Sequence, residues 1–306
     1  MIEIQQVASL NEGEKLWCEL SPNKTIFDEW GFRYSFYKYS PLPICFLAAY
    51  SSETSGEFKN LVGLLPLQKH PKHGFEFFAE DPCEENHPFI KPGYEYIIPE
   101  LYKAIPGAAK AYDISGDDDF TKQLPLEDYK YVLPLAGIYS YSDFLNSRLS
   151  VKRGHALLKE INRVEKLGIN VEVINDRLEA RFSALEILFN LNIDNFGEDS
   201  YLLEKDQAAW RDLMTLNFCW RIIVCKIDSV IEAVSLSVLH SEQWHYLLTG
   251  VNFKKYPGLG KYLAKVNIEE AIISGANVFD AGLGDCGWKN IWHFDKISQY
   301  NFENNK

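Results

Sequence analysis

Apolar and polar positions change period several times along the first half of the chain. Lys15 to Leu20 and Phe27 to Tyr39 carry helical spacing. The second stretch is unusually aromatic, with Trp30, Phe32, Phe36 and Tyr37 among its residues, and reads as packing surface. Ile44 to Tyr50 is a dense apolar run, Ser51 to Gly56 a turn cluster, Leu61 to Leu67 a second run and Gly74 to Ala79 a third. That order predicts a three-strand meander. A polar loop follows, then helical spacing from about Tyr94 to Ile105, a strand ending in Ala111 to Gly116 (AYDISG), and another strand over Tyr129 to Leu135.

In the second half, Ser140 to Leu149 and the basic amphipathic stretch Val151 to Leu167 predict helices, the latter stopped by Gly168. A strand over Ile169 to Ile174 and helices over Arg177 to Phe196 and Gln207 to Leu216 come next. Cys219 to Ile227, Val230 to Leu239 and Trp244 to Val251 predict a second meander, with Asp228-Ser229 as a two-residue hairpin turn lacking the favoured glycine. A helix over Gly258 to Ser274 and a strand over Asn277 to Ala281 complete the pattern.

The two halves repeat one order: meander, loop, helix, and a strand ending on aspartate. Asp113 and Asp280 are offset by 167 positions, and Val62 and Ile231 by 169. Two distant anchors that agree so closely point to a duplicated domain. The expectation is an α/β (α+β) protein of two tandem domains, 1–145 and 146–306, each a mixed, mostly antiparallel sheet with helices. Only the second copy has a Gly-x-Gly loop, in Tyr256 to Leu263 (YPGLGKYL); the first has EDPCEENHPFIKPGY there.

Length and charge narrow the function. With 306 residues the chain has room for about two domains. No stretch approaches the roughly 18 uncharged apolar residues of a membrane helix. Met1-Ile2-Glu3-Ile4 lacks the basic start and apolar run of a signal peptide. A cytoplasmic protein without a membrane span is expected. Lys+Arg number 31 and Asp+Glu 43, a net charge of −12, which argues against DNA or tRNA held mainly through phosphates. The six cysteines form no C-x-x-C pair and read as reduced thiols.

Gly258-Leu259-Gly260 follows a strand and opens a helix, so its amides can approach an anion, while Lys254, Lys255 and Lys261 add positive charge. The third glycine of a dinucleotide fingerprint is missing, and no G-K-[ST] follows as in a P-loop. His70 and His73 flank Pro71, but without a carboxylate or cysteine at ligand spacing no metal site is expected. There is no G-x-S-x-G elbow for a serine triad.

Meander, Gly-x-Gly loop, helix and strand is the order that resembles the GNAT acyltransferases. Residues 151–292 are similar to the acetyltransferase domain shared with Fem-type peptidoglycan aminoacyltransferases. The matching segments are RVEKLGINVEV (Arg163 to Val173), YLLTG (Tyr246 to Gly250), YPGLGKYL, and DAGLGDCGWK (Asp280 to Lys289). The first half, including VGLLPL (Val62 to Leu67), resembles the tandem partner such proteins carry. The long coiled-coil arm of some Fem enzymes is absent.

This resemblance implies an N-acyltransferase that moves an acyl group from acyl-CoA, acetyl-CoA first among them, to an amine. The acceptor class is a small molecule, amino sugar, peptide or cell-envelope precursor. The alternatives are a Fem-type aminoacyl-tRNA-dependent transferase and a catalytically inactive binding module. Thr249, Gly250, Val251, Lys255, Gly258, Leu259, Gly260 and Lys261 are expected to hold the donor, with strand amides near Thr249 facing the oxyanion. Lys289 is expected to stabilise the oxyanion or hold an anionic substrate, and Asp285 to orient Lys289 or bind the amine. Glu85 and His87 of the Glu84 to His87 loop are expected to serve as base or amine clamp, across a cleft between the halves.

Overall fold

The computed structural model describes residues 1–52, 59–197, 202, 204–285 and 287–305. Residues 53–56 of the expected turn cluster, and Cys286, lie outside the described residues. Backbone contacts divide the chain into two compact units: Met1–Tyr129 with Ser298–Lys306, and Lys130–Ile297. Each is a mixed sheet with helices, the expected fold class.

The first unit contains β1 (Ile2–Val7), β2 (Ile44–Ser52), β3 (Lys59–His70), β4 (Gly74–Phe77), the two-residue β5 (Phe89–Ile90) and β6 (Ala109–Ile114). β2, β3 and β4 are the expected meander, with β1 antiparallel to β2 and β6 parallel to β4. The sheet is closed by the chain's last strand, β13 (Asp295–Asn304), which runs antiparallel to β6 with Tyr300 opposite Ile114. Its helices are α1 (Leu10–Leu20), α2 (Trp30–Tyr37) and α3 (Ile98–Lys103). The helix expected from Phe27 to Tyr39 is broken at its start. The Asp28 carboxylate accepts the amides of Lys24 and Thr25, closing a separate turn over Ile26–Asp28, and Glu29 is extended. The aromatic residues pack as expected. Trp17, Phe27 and Phe32 are buried, and Trp17 meets Trp30 and Phe89 edge-on.

The second unit takes residues 130–134 of β7 (Leu126–Pro134), then β8 (Asn170–Ile174), β9 (Cys219–Ile227), β10 (Val230–His240), β11 (Gln243–Val251) and β12 (Val278–Leu283). Their order is β7-β12-β11-β10-β9-β8, and only β11 and β12 are parallel. The helices are α4 (Tyr141–Arg148), α5 (Val151–Glu165), α6 (Leu178–Phe196), α7 (Glu204–Leu213) and α8 (Leu259–Ile273). The Asp228-Ser229 turn has φ of 50° and 64°, so two non-glycine residues occupy the left-handed positions of a tight hairpin. Each unit thus repeats one plan: an antiparallel strand, the meander, a parallel strand and an antiparallel closing strand. No helix among the described residues is long and apolar enough to cross a membrane.

Candidate functional site

In the second unit β11 and β12 are paired only from Gln243↔Val278 to His245↔Asp280. Beyond that pair β11 has no strand on its β12 side among the described residues. The Asn252 N–H donates to Glu232 O of β10. Backbone groups alternate in direction along a strand, so the Gly250 amide also faces β10, and those of Thr249 and Val251 face the open edge. The carbonyls on that edge are capped from α6. Asn192 Nδ2 donates to Thr249 O (3.3 Å) and Asn195 Nδ2 to Val251 O (2.6 Å).

A cavity of about 310 Å³ lies beside this edge. Thr249, Val251 and Tyr246 of β11 line it together with Gly258, Gly260 and Lys261 at the start of α8. Trp288 and Trp292 supply part of its mainly apolar wall. Gly258 caps α8 with φ of 95°, a conformation that strains any side chain, and an added Cβ would lie 3.1 Å from Val164. At Gly260 a Cβ would meet nothing within 4 Å. Among the described residues the amides of Gly258 and Gly260 make no hydrogen bond. The indole Nε1 of Trp292 is buried without an acceptor.

Five expected donor residues therefore share one cavity: Thr249, Val251, Gly258, Gly260 and Lys261. Three do not join them. A Cβ at Gly250 would lie 2.6 Å from Leu188 O, so this glycine lets α6 pack onto the sheet. Leu259 is buried and its amide is bonded to Tyr256 O. Lys255 binds the buried Glu232 carboxylate (2.6 Å), whose other oxygen accepts from Asn252 Nδ2 (2.8 Å); Glu232 pins the loop before α8. Lys261 is ion-paired to Glu160 of α5.

The sequence model described as "Acetyltransferase (GNAT) domain" matches residues 152–290. This segment is a GNAT domain. No curated protein sequence matches the chain. Solved structures share its fold across nearly the whole length. L-PGS from Bacillus licheniformis is 14% identical, with 98% of this chain and 92% of that one covered at a TM-score of 0.61. FemX is 11% identical, with 98% of each chain covered and a TM-score of 0.59. A tandem GNAT protein from the clavulanic acid biosynthesis pathway is 10% identical, with 99% and 98% covered and a TM-score of 0.52. The resemblance to tandem GNAT and Fem-type proteins read from the sequence is thus met at the level of the fold.

After β12 of the GNAT domain, Asp285 is exposed and organises its own turn, accepting from Gly287 N (2.8 Å) and from the Asn290 side chain. Lys289 is 3% exposed. Its Nζ donates to Gly282 O (2.9 Å) and Leu283 O (2.5 Å) and lies 4.9 Å from the centre of the Tyr131 ring. The ammonium therefore fastens the segment that carries Trp288 and Trp292. This differs from the oxyanion contact expected of it. Lys289→Met is expected to cost about 1–3 kcal/mol by leaving two loop carbonyls without their donor. Equilibrium denaturation measures it, and an unchanged stability would return Lys289 to the list of catalytic candidates.

At the fork where β11 and β12 part lies a buried ionic cluster that the sequence did not announce. Asp280 Oδ2 is 3.0 Å from Lys130 Nζ and 3.1 Å from His245 Nδ1, and its other oxygen accepts the Gly282 amide (2.9 Å). All three side chains are at most 5% exposed. Burial opposes ionisation of Asp280, but Lys130, His245 and the Gly282 amide outweigh it and hold the carboxyl well below the usual range.

Asp113, which the sequence pattern aligned with Asp280, behaves oppositely. Burial, with Glu127 and Asp128 nearby, raises it to about 7. Its folded value lies above the unfolded one. The stability it contributes is therefore present below about pH 4 and lost as pH rises through 7. Asp113→Asn keeps a side chain that tolerates the φ of 53° found there. It should gain on the order of 1–3 kcal/mol at pH 8 and almost nothing near pH 4. Melting temperatures at the two pH values test this; equal gains at both would show that the carboxyl is not the titrating group.

Glu85 and His87 lie in the first unit, in a loop closed on itself by buried groups. Arg33, 3% exposed, donates to Phe27 O, Phe78 O, Glu85 O and Asn86 Oδ1. Ser115 Oγ donates to Glu85 Oε1 (3.0 Å), and His87 Nε2 lies 3.2 Å from Asp28 Oδ1. Burial opposes the charge on Asp28, yet the His87 contact and two backbone amides lower its pKa overall. Both expected acceptor-side groups are thus already partnered within the first unit, Glu85 by Ser115 and His87 by Asp28.

Proposed function

We propose that the GNAT domain transfers an acyl group from an acyl-CoA-type thioester to an amine, with the donor held along the open edge of β11 and the start of α8. The observation that carries this reading is the continuity of unpaired donors along one cavity wall. It runs from the outward amides of Thr249 and Val251 to the partner-free amides of Gly258 and Gly260, with Lys261 beside them. An extended amide-containing arm can pair with a strand edge, and a pyrophosphate suits a helix N-terminus. The open space at Gly260 and the orphaned Trp292 N–H fit such a group. When bound, the donor supplies the activated acyl carbonyl. The chain's own contribution is to fix the donor's position, to exclude water with Trp288, Trp292 and Tyr246, and to offer outward-facing amides where negative charge develops.

A second reading, aminoacyl-tRNA as donor, is favoured by one observation. α5 exposes Lys152, Arg153, Lys159 and Arg163 and packs against the start of α8 through Val164 and Glu160. The likeness of the fold to FemX and L-PGS accords with it, and suggests cell-envelope precursors as acceptors under either reading.

The deciding experiment titrates the full chain with acetyl-CoA, uncharged tRNA and charged tRNA. Products with an amine panel are then followed by mass spectrometry. Saturable acetyl-CoA binding with acylated amine supports the first reading. Binding of charged tRNA alone supports the second, and binding of neither overturns both.

A further inference from the structure

The hairpin of β3 and β4 carries a side-chain cluster that acyl transfer does not use. Gln68 lies opposite Glu76 and His70 opposite Gly74, so residues alternating along β3 place Gln68, His70 and Glu76 on one face. Lys69 belongs to the other face, its Nζ 5.8 Å from the Phe75 ring centre. The three-residue turn Pro71-Lys72-His73 brings His73 back over His70, with the rings stacked at 3.9 Å. His73 Nε2 is 2.6 Å from Glu76 Oε2. One potential ligand atom from each of His70, His73 and Glu76 lies within 4.8 Å of the others.

The cluster is held by its surroundings. Gly74 has φ of 87°, and a Cβ there would lie 2.0 Å from Ala108 O, so the turn has little freedom. Gln68 Nε2 donates to Glu76 Oε1 (2.7 Å), while Gln68 Oε1 accepts the Ala79 amide (3.1 Å). Glu76 is therefore fixed through one oxygen, and its other oxygen faces His73. His73 remains a third exposed, which leaves an entry path.

We propose that His70, His73 and Glu76 bind one late first-row divalent metal ion, zinc in the first instance. Two imidazoles and a carboxylate are a donor set for zinc, with water completing a four-coordinate site. A bound ion replaces the direct His73–Glu76 contact. Tetrahedral bonds of roughly 2.0–2.1 Å require these atoms to separate by less than about 1 Å from their present spacing. Two further interactions change: the contact from Lys72 N to His70 Nδ1 (3.2 Å), and the ring stack, whose planes must tilt for both imidazoles to face one ion. Gln68 then serves as the outer partner that orients the ligating carboxylate. The sequence hid this site because Glu76 joins the two histidines only once the hairpin forms.

The test uses the full chain after chelator treatment and zinc titrated against a chromogenic competitor. One stoichiometric site with micromolar or tighter affinity is expected. His73→Ala, at the exposed turn, should weaken it by more than the roughly 10–100-fold typical of an outer-shell loss. Glu76→Gln should do the same while circular dichroism reports the fold. Cys18→Ser/Cys219→Ser, which removes the two thiols exposed among the described residues, should leave the site intact. X-ray absorption should show nitrogen and oxygen ligands only. Absence of a stoichiometric site, unchanged affinity in His73→Ala, or sulfur in the coordination shell would overturn the proposal. None of these readouts depends on the acyl donor.

Discussion

Asp280→Asn is expected to destabilise the GNAT domain by about 3–5 kcal/mol, the usual result of removing one member of a buried ion pair. The loss arises from what remains. Lys130, 4% exposed, loses the Asp280 carboxylate beside it, and His245 loses the acceptor on its Nδ1. At roughly 2–4 °C per kcal/mol for a unit of this size, the melting temperature should fall by on the order of 10 °C. The double variant Lys130→Met/Asp280→Asn removes both charges and should be more stable than the two single losses added together. Strict additivity in that cycle, or a loss below about 1 kcal/mol for Asp280→Asn, would show that the pair does not hold the fork. The pH dependence has a definite sign. The folded pKa lies below the unfolded one, so this contribution is complete above the ordinary carboxylate range and declines as the solution is acidified below it.

The second large effect concerns the cavity proposed to hold the donor. Gly260→Leu is expected to weaken acetyl-CoA binding by at least about 100-fold, or about 2.7 kcal/mol, while leaving the melting temperature almost unchanged. A side chain at this position enters open space beside the partner-free amides, so it obstructs a ligand without displacing protein atoms. Leucine also has better helix propensity than glycine. Gly258 is a poorer choice for the same purpose, since its positive φ and the nearby Val164 would confound lost binding with lost fold. Calorimetric titration of a folded Gly260→Leu chain reads the effect, and wild-type affinity there would move the donor away from this cavity.

The meander strands and the long helices were legible because their apolar runs are continuous or helically spaced, as in β9 and α8. β1 and β13 were not. IEIQQV is half polar and DKISQYNFEN mostly polar, and both are largely exposed or half-exposed, so no apolar run marks them. At the site, the glycine loop was readable as the start of a helix, and α8 does open there, with Gly258 as its cap. At Lys289 a motif fixes residue type and leaves the direction of the side chain open; here it points to Gly282 and Leu283. Lys130, His245 and Asp280 sit on three different strands, and only strand pairing assembles them. Nothing near any one of them in sequence foretells the other two.

The exchange of closing strands bears on how the protein is made. Residues 298–304 complete the first unit's sheet, yet they are synthesised after every residue of the second. While the second half is being translated, the edge of β6 that faces β13 stays without its partner. Exposed strand edges invite pairing with other chains. The first half therefore cannot finish folding on the ribosome ahead of the second, and its period of exposure lasts as long as translation of the GNAT domain. A stalled or shortened product that ends before Ser298 leaves that edge open for good, which makes incomplete chains natural clients for chaperones and proteases.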